Sequence, residues 1–176
     1  MTGAKFAYLD ASAMVRCAES NVAMPSARNA HAGAPLMTAL NQVAPVLGVS
    51  SLGLVEFHNV LARNWRSTDA VDSQYDQAWV ESEQDRIMRA IISRRIVIVA
   101  TPSKFEEKAL VLVKMATRDH GMALGAWDAV HLVTAVAWSF DLQNPIDLWT
   151  TDAHYDRFLG LYTHFSRYVS VVNLDP

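Results

Sequence analysis

The stretch that decides the fold is FAYLDAS, residues 6–12. Its first four residues, Phe6–Leu9, form a short apolar run, which predicts a buried strand. Asp10 ends this run and Ser12 is suited to cap a helix, so we expect a turn and then a helix that extends to about Glu19. A strand that ends in an acidic residue and leads into a helix is therefore the first unit of the predicted fold.

More strands are predicted farther along the chain. Ile96–Ala100 (IVIVA) is the clearest of them because it is strongly β-branched, and the others cover residues 46–49, 147–150 and 168–173. Strands that alternate with helices indicate an α/β fold with a central, mostly parallel sheet of about four or five strands, covered by helices on both faces. No repeat divides the sequence, so we expect a single domain over residues 1–176.

The connections between the strands are predicted to be mainly helical. The exception is Asn21–Pro35, which is rich in Ala, Ser, Asn, Gly and Pro and is predicted to form a long loop or a partly ordered excursion. Tryptophans mostly have apolar neighbours at helical spacing, so we expect them in the core or at a dimer interface. Helices are predicted over residues 35–44, 52–65, 71–93, 104–119, 126–138 and 155–159.

The composition is that of a globular protein. The 176 residues are 51% hydrophobic and 19% charged, which suffices for a core and excludes a disordered chain. Charged or polar residues interrupt the apolar stretches, so we expect neither a membrane span nor a secretory signal. A single cysteine, Cys17, excludes an intramolecular disulfide and suits a cytoplasmic location. The net charge of −3 does not favour a nucleic-acid partner, although the distribution of charge matters more than its sum.

Two acidic residues follow predicted strands. Asp10 ends the first strand, and Asp152 follows IDLWTT, residues 146–151. In an open α/β sheet, ligands bind at the carboxyl ends of the strands. We therefore expect both side chains at the same edge of the sheet.

Two further acidic residues lie on apolar helix faces. Glu56 has Leu52 and Val60 one turn before and after it, and Asp128 is flanked by leucines in the same way. An unpaired carboxylate at such a position is costly, and these stripes contain no Lys or Arg. Each acid thus needs a compensating positive charge from elsewhere.

A divalent metal ion would explain why the four acids are tolerated. Carboxylates that lie close together repel one another, and oxygen-only ligands suit Mg²⁺ or Mn²⁺ rather than zinc. Such an ion can activate a water, orient a phosphodiester and neutralise the charge that develops on it. The acids therefore indicate metal-dependent phosphodiester chemistry.

Each candidate also has a purely structural interpretation. A single Asp after a strand is more often a turn residue, and Asp128 alone could cap its helix. His131, one turn after Asp128, could be a ligand, but a histidine on an apolar helix is more often a satisfied core residue. Asp156 could share the site, but it is more often an exposed acid beside Arg157. The functional interpretation depends on the four acids occurring together and in order.

Each of the four acids lies in a distinctive segment, above all GAWDAVHLVTAVAW (Gly125–Trp138) and LWTTDAHYDRF (Leu148–Phe158). Together with two further segments, these resemble the motifs of PIN domains, in particular those of VapC-like toxin ribonucleases. YLDASAMVRC (Tyr8–Cys17) is similar to the opening signature, and SSLGLVEFHNVLAR (Ser50–Arg63) is similar to the second acidic motif. The four segments occur in the order of the family, so the resemblance covers essentially the whole chain.

The resemblance implies a three-layer α/β/α fold and a metal-dependent endoribonuclease that acts on RNA. It further implies a homodimer that is inhibited by a cognate antitoxin protein of a toxin–antitoxin pair. Ser12 and Thr150 would be polar residues that position a ligand or a water. The metal ligands that it implies are Asp10, Glu56, Asp128 and Asp152.

Two other functions remain compatible with parts of the sequence. A PIN-like module could bind RNA or a protein without cutting, although such a module need not keep four costly acids. A metal-dependent phosphatase of the haloacid dehalogenase type also uses an Asp after its first strand. That chemistry needs a second Asp two residues later, where this chain has Ser12. It also needs a Lys near the later acids, and this chain has none there.

Overall fold

A computed structural model describes residues 5–42, 44–67 and 75–175. This part of the chain contains five strands, seven α-helices and a short 3-10 helix at Thr163–Phe165. The strands are β1 (Phe6–Leu9), β2 (Val46–Ser50), β3 (Ile96–Val99), β4 (Ile146–Thr150) and β5 (Val169–Asn173). The helices are α1 (Ala11–Ser20), α2 (Ala27–Leu40), α3 (Ser51–Ser67), α4 (Gln77–Ile92), α5 (Phe105–His120), α6 (Ala126–Leu142) and α7 (His154–Leu161).

The five strands form one parallel sheet in the order β3-β2-β1-β4-β5. Strand β1 is central: Phe6 pairs with Val46 of β2, and Leu9 pairs with Trp149 of β4. The chain builds β2 and β3 on one side of β1 and then returns to add β4 and β5 on the other. The predicted parallel sheet is confirmed.

Side chains of β1 alternate between two cores on opposite faces of the sheet. Ala7 and Leu9 pack into a core with residues of α1 to α4, such as Phe57. Tyr8 points to the opposite face and packs with residues of α5 to α7, such as Leu132. This period of two is the geometry of a strand that is buried on both faces. The architecture is therefore the three-layer α/β/α arrangement that the sequence predicted.

The prediction of a loop over Asn21–Pro35 holds for residues 21–26 and is wrong for the rest, because helix α2 begins at Ala27 and extends through Pro35 to Leu40. The Ser26 side chain caps the helix by accepting a hydrogen bond from the Asn29 backbone N–H at 3.1 Å. Alanines favour the helix, and a proline in a helix interior costs about 3 kcal/mol. Burial of one helical stripe against the neighbouring elements offsets that cost; its residues are Asn29, Ala32, Gly33, Leu36 and Ala39.

Helix α4 begins later than predicted. The expected helix began at Val71, but Asp76 caps a helix that starts at Gln77, and its side chain accepts a hydrogen bond from the Trp79 backbone N–H at 2.7 Å. Residues 68–74 lie outside the described part of the chain, so the first part of this prediction is not tested. None of the described helices is both long and apolar enough to cross a membrane.

The tryptophans do not all lie in the core. Trp79, Trp138 and Trp149 are partly buried and pack against the two cores. Trp127, in the first turn of α6, is 52% exposed. An aromatic side chain is thus available at the surface, one residue before Asp128.

Candidate metal centre

The register of β1 and β4 brings two of the predicted residues together. Because Leu9 pairs with Trp149, Asp10 and Thr150 are adjacent at the carboxyl ends of the two strands. This is also the place where the strand order reverses, with β2 on one side of β1 and β4 on the other. Open α/β sheets bind ligands at such a position.

Asp10 is nearly fully buried at 5% exposure, and two hydroxyl groups hold it. Its Oδ2 accepts a hydrogen bond from Ser12 Oγ at 2.7 Å and another from Thr150 Oγ1 at 2.8 Å. Thr150 Oγ1 also accepts the Asp152 backbone N–H at 3.0 Å, so the same hydroxyl connects two of the predicted acids. Ser12 and Thr150 therefore lie where they can fix the orientation of Asp10.

Glu56 is oriented by a buried histidine. His131 Nε2 lies 3.0 Å from Glu56 Oε2 and 3.4 Å from Asp10 Oδ1, while its Nδ1 lies 2.9 Å from the Tyr8 hydroxyl. Burial opposes protonation of this imidazole, but the Glu56 hydrogen bond and the nearby carboxylates outweigh it and raise the His131 pKa. Both ring nitrogens contact protein groups, which favours a positioning role for His131 over metal ligation.

Asp128 lies in the first turn of α6 and also caps this helix. Its Oδ2 accepts a hydrogen bond from the Gly125 backbone N–H at 3.2 Å. The interpretation of Asp128 as a helix-capping residue is therefore correct, and it leaves the other carboxylate oxygen for a second role. Burial, followed by the negative charges of Asp152 and Asp10, raises the pKa of the Asp128 carboxyl. Ionised Asp128 is therefore held in an unfavourable environment at neutral pH.

Asp152 forms a turn with the first residue of α7. Its Oδ1 accepts the His154 backbone N–H at 2.8 Å and lies 3.0 Å from His154 Nδ1. His154 is exposed, and its imidazole reaches toward the same group of acids. Asp156 lies on the exposed side of α7.

The potential metal-ligating atoms fall into two adjacent groups. One consists of Asp10, Glu56 and His131, and the other of Asp128, Asp152 and His154, with ligand atoms within 4.8 Å of one another in each group. The charges of Asp10 and Asp152 both act on Asp128, so the two groups lie close together.

Each of the four acids keeps one oxygen for a ligand. Glu56, Asp128 and Asp152 each have one oxygen held by the contacts described above, and among the described residues their second oxygens accept no hydrogen bond. In Asp10 the second oxygen has only the 3.4 Å approach of His131. Internal contacts thus orient the acids without using all of their capacity.

Two buried acids elsewhere in the described part of the chain are paired with arginine, whereas the four acids of the site have no such partner there. Glu19 Oε2 lies 2.5 Å from Arg16 Nη1, and Glu83 Oε2 lies 2.5 Å from Arg86 Nη2. Within the described residues, no Lys or Arg forms an ion pair with any of the four site acids. Histidines are the only basic residues that form ion pairs with these acids in the described part of the chain. A divalent cation can compensate carboxylates that lack Lys or Arg partners.

A buried tyrosine supplies an independent indication of a ligand. Tyr155 of α7 is fully buried, and its hydroxyl has no hydrogen-bond partner among the described residues. Burial raises its pKa, and the charges of Asp10, Asp128 and Asp152 raise it further, which places the phenol near these acids. Water bound to Mg²⁺ or Mn²⁺ would donate a hydrogen bond to the phenol oxygen, so the residues present fit a hard cation.

The sequence analysis did not identify His154 and Tyr155 as residues of the candidate metal centre. The D-x-H spacing of Asp152 and His154 was a possible signal, since a turn after a strand brings such residues together. For Tyr155 the sequence carried no such signal, because only the packing of α7 shows that its hydroxyl lacks a partner.

The parallel five-stranded sheet and the helices that cover its two faces form an α/β/α fold. Three solved structures share this fold at low sequence identity. VapBC2 from Rickettsia felis, in a crystal structure bound to a promoter DNA fragment, has a TM-score of 0.54 and 13% identity over 94% of this chain and 98% of that chain. FitAcB from Neisseria gonorrhoeae has a TM-score of 0.53 and 17% identity over 96% and 97% of the two chains.

The third structure is FitAB bound to an IR36 DNA fragment, with a TM-score of 0.54 and 16% identity over 97% of this chain and 96% of that chain. No protein-family model matches the sequence, and neither does any curated protein. At these identities the likeness concerns the fold, and it confirms the PIN-like architecture that the four sequence motifs predicted.

Proposed function

We propose that this chain is a metal-dependent endoribonuclease that hydrolyses phosphodiester bonds of RNA. The observation that carries the proposal is the cluster of four carboxylates at the carboxyl edge of the sheet, which lack Lys or Arg partners among the described residues. A binding module without catalysis would have no need of such a cluster, because four acids without Lys or Arg partners repel RNA and destabilise the fold.

The residues that would hold Mg²⁺ or Mn²⁺ are Asp10, Glu56, Asp128 and Asp152. When bound, such an ion supplies Lewis-acid activation of a water and neutralises negative charge on the phosphate. The protein's part is to present carboxylate oxygens in a fixed geometry, which residues behind the ligands commonly ensure. For Asp10 those residues are Ser12 and Thr150, which both hydrogen-bond to Oδ2.

The biological role that we propose is that of the toxin in a toxin–antitoxin pair. The sequence motifs resemble those of VapC-like toxins, and the structures that share the fold are complexes named VapBC2, FitAcB and FitAB. We accordingly propose a cognate antitoxin protein as inhibitor, a homodimer as the assembled state and the cytoplasm as the location.

Cleavage of total cellular RNA tests the enzymatic proposal. Purified wild-type protein and the Asp128→Asn variant are incubated with RNA in Mg²⁺ or Mn²⁺, and again with EDTA. We expect discrete products from the wild-type protein with metal, and none after chelation or from the variant. Glu106→Gln, which changes an exposed acid in the first turn of α5, is the matched control and should cleave normally.

Two results would contradict the proposal. Cleavage that persists in EDTA or in Asp128→Asn would show that the acids and the metal are not the source of activity. Absence of cleavage by folded, metal-loaded wild-type protein that is free of antitoxin would favour a PIN-like module that binds RNA or protein without cutting.

A further inference from the structure

The surface beside the candidate metal centre contains an exposed tryptophan. Trp127 immediately precedes Asp128 in α6 and is 52% exposed. It lines a cleft of about 300 Å³ together with residues of α3, of which Glu56, Asn59 and Arg63 are charged or polar and Leu52, Val55 and Val60 are apolar. Glu56 belongs to the acidic cluster, so the cleft opens directly onto the candidate metal centre.

A second cleft continues the surface on the other side of Glu56. It also has a volume of about 300 Å³, shares Glu56 and Arg63 with the first cleft, and extends to Ser12 and Thr151. Arg63 is exposed and forms no ion pair with any residue in the described part of the chain. A free guanidinium that borders both clefts suits a chain of phosphates that passes from one cleft to the other.

We propose that Trp127 forms the stacking surface of a nucleobase-binding subsite next to the acidic cluster. A base that lies on the indole would place the adjoining phosphate toward Glu56, and Arg63 would contact the backbone. Base stacking on an aromatic side chain requires an unpaired nucleotide, because a base within a duplex already stacks on its neighbours. This inference rests on the proposed ribonuclease function and specifies how that site holds its substrate.

A protein partner is a less suitable occupant of this cleft. Three of its seven lining residues are charged or polar, namely Glu56, Asn59 and Arg63, and the other four are apolar. A larger and more apolar groove of about 570 Å³ lies elsewhere, lined by residues such as Val111 and Phe140 of α5 and α6. Fully buried interface cores are depleted of charged residues, so that groove fits a protein surface better.

The test is RNA binding measured by fluorescence anisotropy in the Asp152→Asn background with EDTA. This background lowers acidic repulsion and prevents metal-dependent cleavage. The probes are a fluorescein-labelled oligoadenylate octamer and the same octamer annealed to oligouridylate. Trp127→Ala, Trp127→Phe and Phe140→Ala are compared; Phe140 is the matched control because it is 58% exposed and lies at the opposite end of α6.

We expect Trp127→Ala to weaken binding of the single strand by roughly 5- to 150-fold, the usual range for loss of one base–aromatic stack. Trp127→Phe should retain most of the affinity, Phe140→Ala should not change it, and Trp127→Ala should affect the duplex little. Unchanged single-strand affinity in Trp127→Ala, or an equal loss for single strand and duplex, would overturn the subsite. Unchanged RNA affinity with an altered molar mass in light scattering would assign Trp127 to a protein interface instead.

These outcomes are distinguishable from failure of the proposed function. Binding of the single strand that depends on Trp127, in a protein that never cleaves RNA, would support the subsite and contradict the nuclease. Metal-dependent cleavage with RNA binding that does not depend on Trp127 would support the nuclease and overturn the subsite.

Discussion

Gly125 controls the position of one of the four acids through the absence of a side chain. A Cβ atom at this position would lie 2.6 Å from Asp128 Oδ2, although the backbone of Gly125 is in an extended conformation that any residue adopts. A methyl group there would displace the carboxylate that now accepts the Gly125 N–H. The sequence did not identify this glycine as part of the site, because the close approach depends on the rotamer of Asp128.

We expect Gly125→Ala to weaken Mn²⁺ binding by roughly tenfold or more, as loss of residues that orient metal ligands usually does. Isothermal titration calorimetry with Mn²⁺ measures the change. Gly160→Ala is the matched control, since a Cβ atom at Gly160 would meet nothing within 4 Å. Equal affinity in Gly125→Ala and the wild-type protein would contradict the placement of Asp128 among the ligands.

Asp128 should reduce the stability of the metal-free protein at neutral pH. Burial and the charges of Asp152 and Asp10 raise its pKa in the folded state, so the folded state binds the proton more tightly than the unfolded chain does. The free energy of unfolding therefore falls as the pH rises from the pKa of the unfolded state to the raised pKa of the folded state. Above the raised pKa, the full destabilisation by ionised Asp128 is present. Asp128→Asn removes this cost.

In EDTA, we thus expect Asp128→Asn to have a higher Tm than the wild-type protein at pH 7. The difference should shrink as the pH is lowered toward about 4, where a carboxyl of ordinary pKa becomes protonated. Thermal unfolding followed by circular dichroism measures both. A lower Tm for the variant at pH 7, or a difference that does not depend on pH, would be inconsistent with an unfavourably buried Asp128.

The role of individual acids was predictable only in part. The four site acids were identified because they interrupt apolar patterns, and the structure brings them to one edge of the sheet. Glu19 and Glu83 are also buried, but each has an arginine three residues away along its helix. Sequence spacing could therefore have separated the acids that pair with arginine from those that do not. By contrast, the lack of a hydrogen-bond partner for the Tyr155 hydroxyl among the described residues could not have been predicted.

Helix α2 shows where composition misleads. Its Ala, Gly and Pro content is typical of a loop, yet these small residues allow α1 and α2 to pack closely. A Cβ atom at Gly33 would lie 2.7 Å from the Arg16 carbonyl oxygen and would collide with the Ser20 side chain. The buried spacing of Asn29, Ala32 and Leu36 was present in the sequence, but a glycine and a proline within it indicated a break.

We expect Gly33→Ala to destabilise the protein by about 1–3 kcal/mol, the usual cost of overpacking. Alanine is the better helix former by up to about 1 kcal/mol, but the clash involves backbone that cannot move without separating the two helices. Urea unfolding measures the change, and Gly160→Ala again serves as the control. A Gly33→Ala variant as stable as the wild-type protein would show that the two helices are not closely packed.

At the scale of the whole molecule, the fold was predictable because the alternation of strand and helix recurs along the chain. Each of the first four strands is a short apolar run followed by a helix, and such alternation allows few arrangements other than a parallel sheet between helical layers. The strand order and the register were not predictable from these patterns. They decide that Asp10 lies beside Thr150, and so they assemble the site from segments that are far apart in sequence.

The central claim is that a divalent cation compensates the four carboxylates, which lack Lys or Arg partners among the described residues. Calorimetric titration of Mn²⁺ into the wild-type protein, Asp10→Asn and the exposed-acid control Glu106→Gln tests it most directly. We predict saturable binding to the wild-type protein and to Glu106→Gln, competition by Mg²⁺, and loss of binding in Asp10→Asn. Absence of saturable binding to the folded wild-type protein, or unchanged binding in Asp10→Asn, would contradict the account.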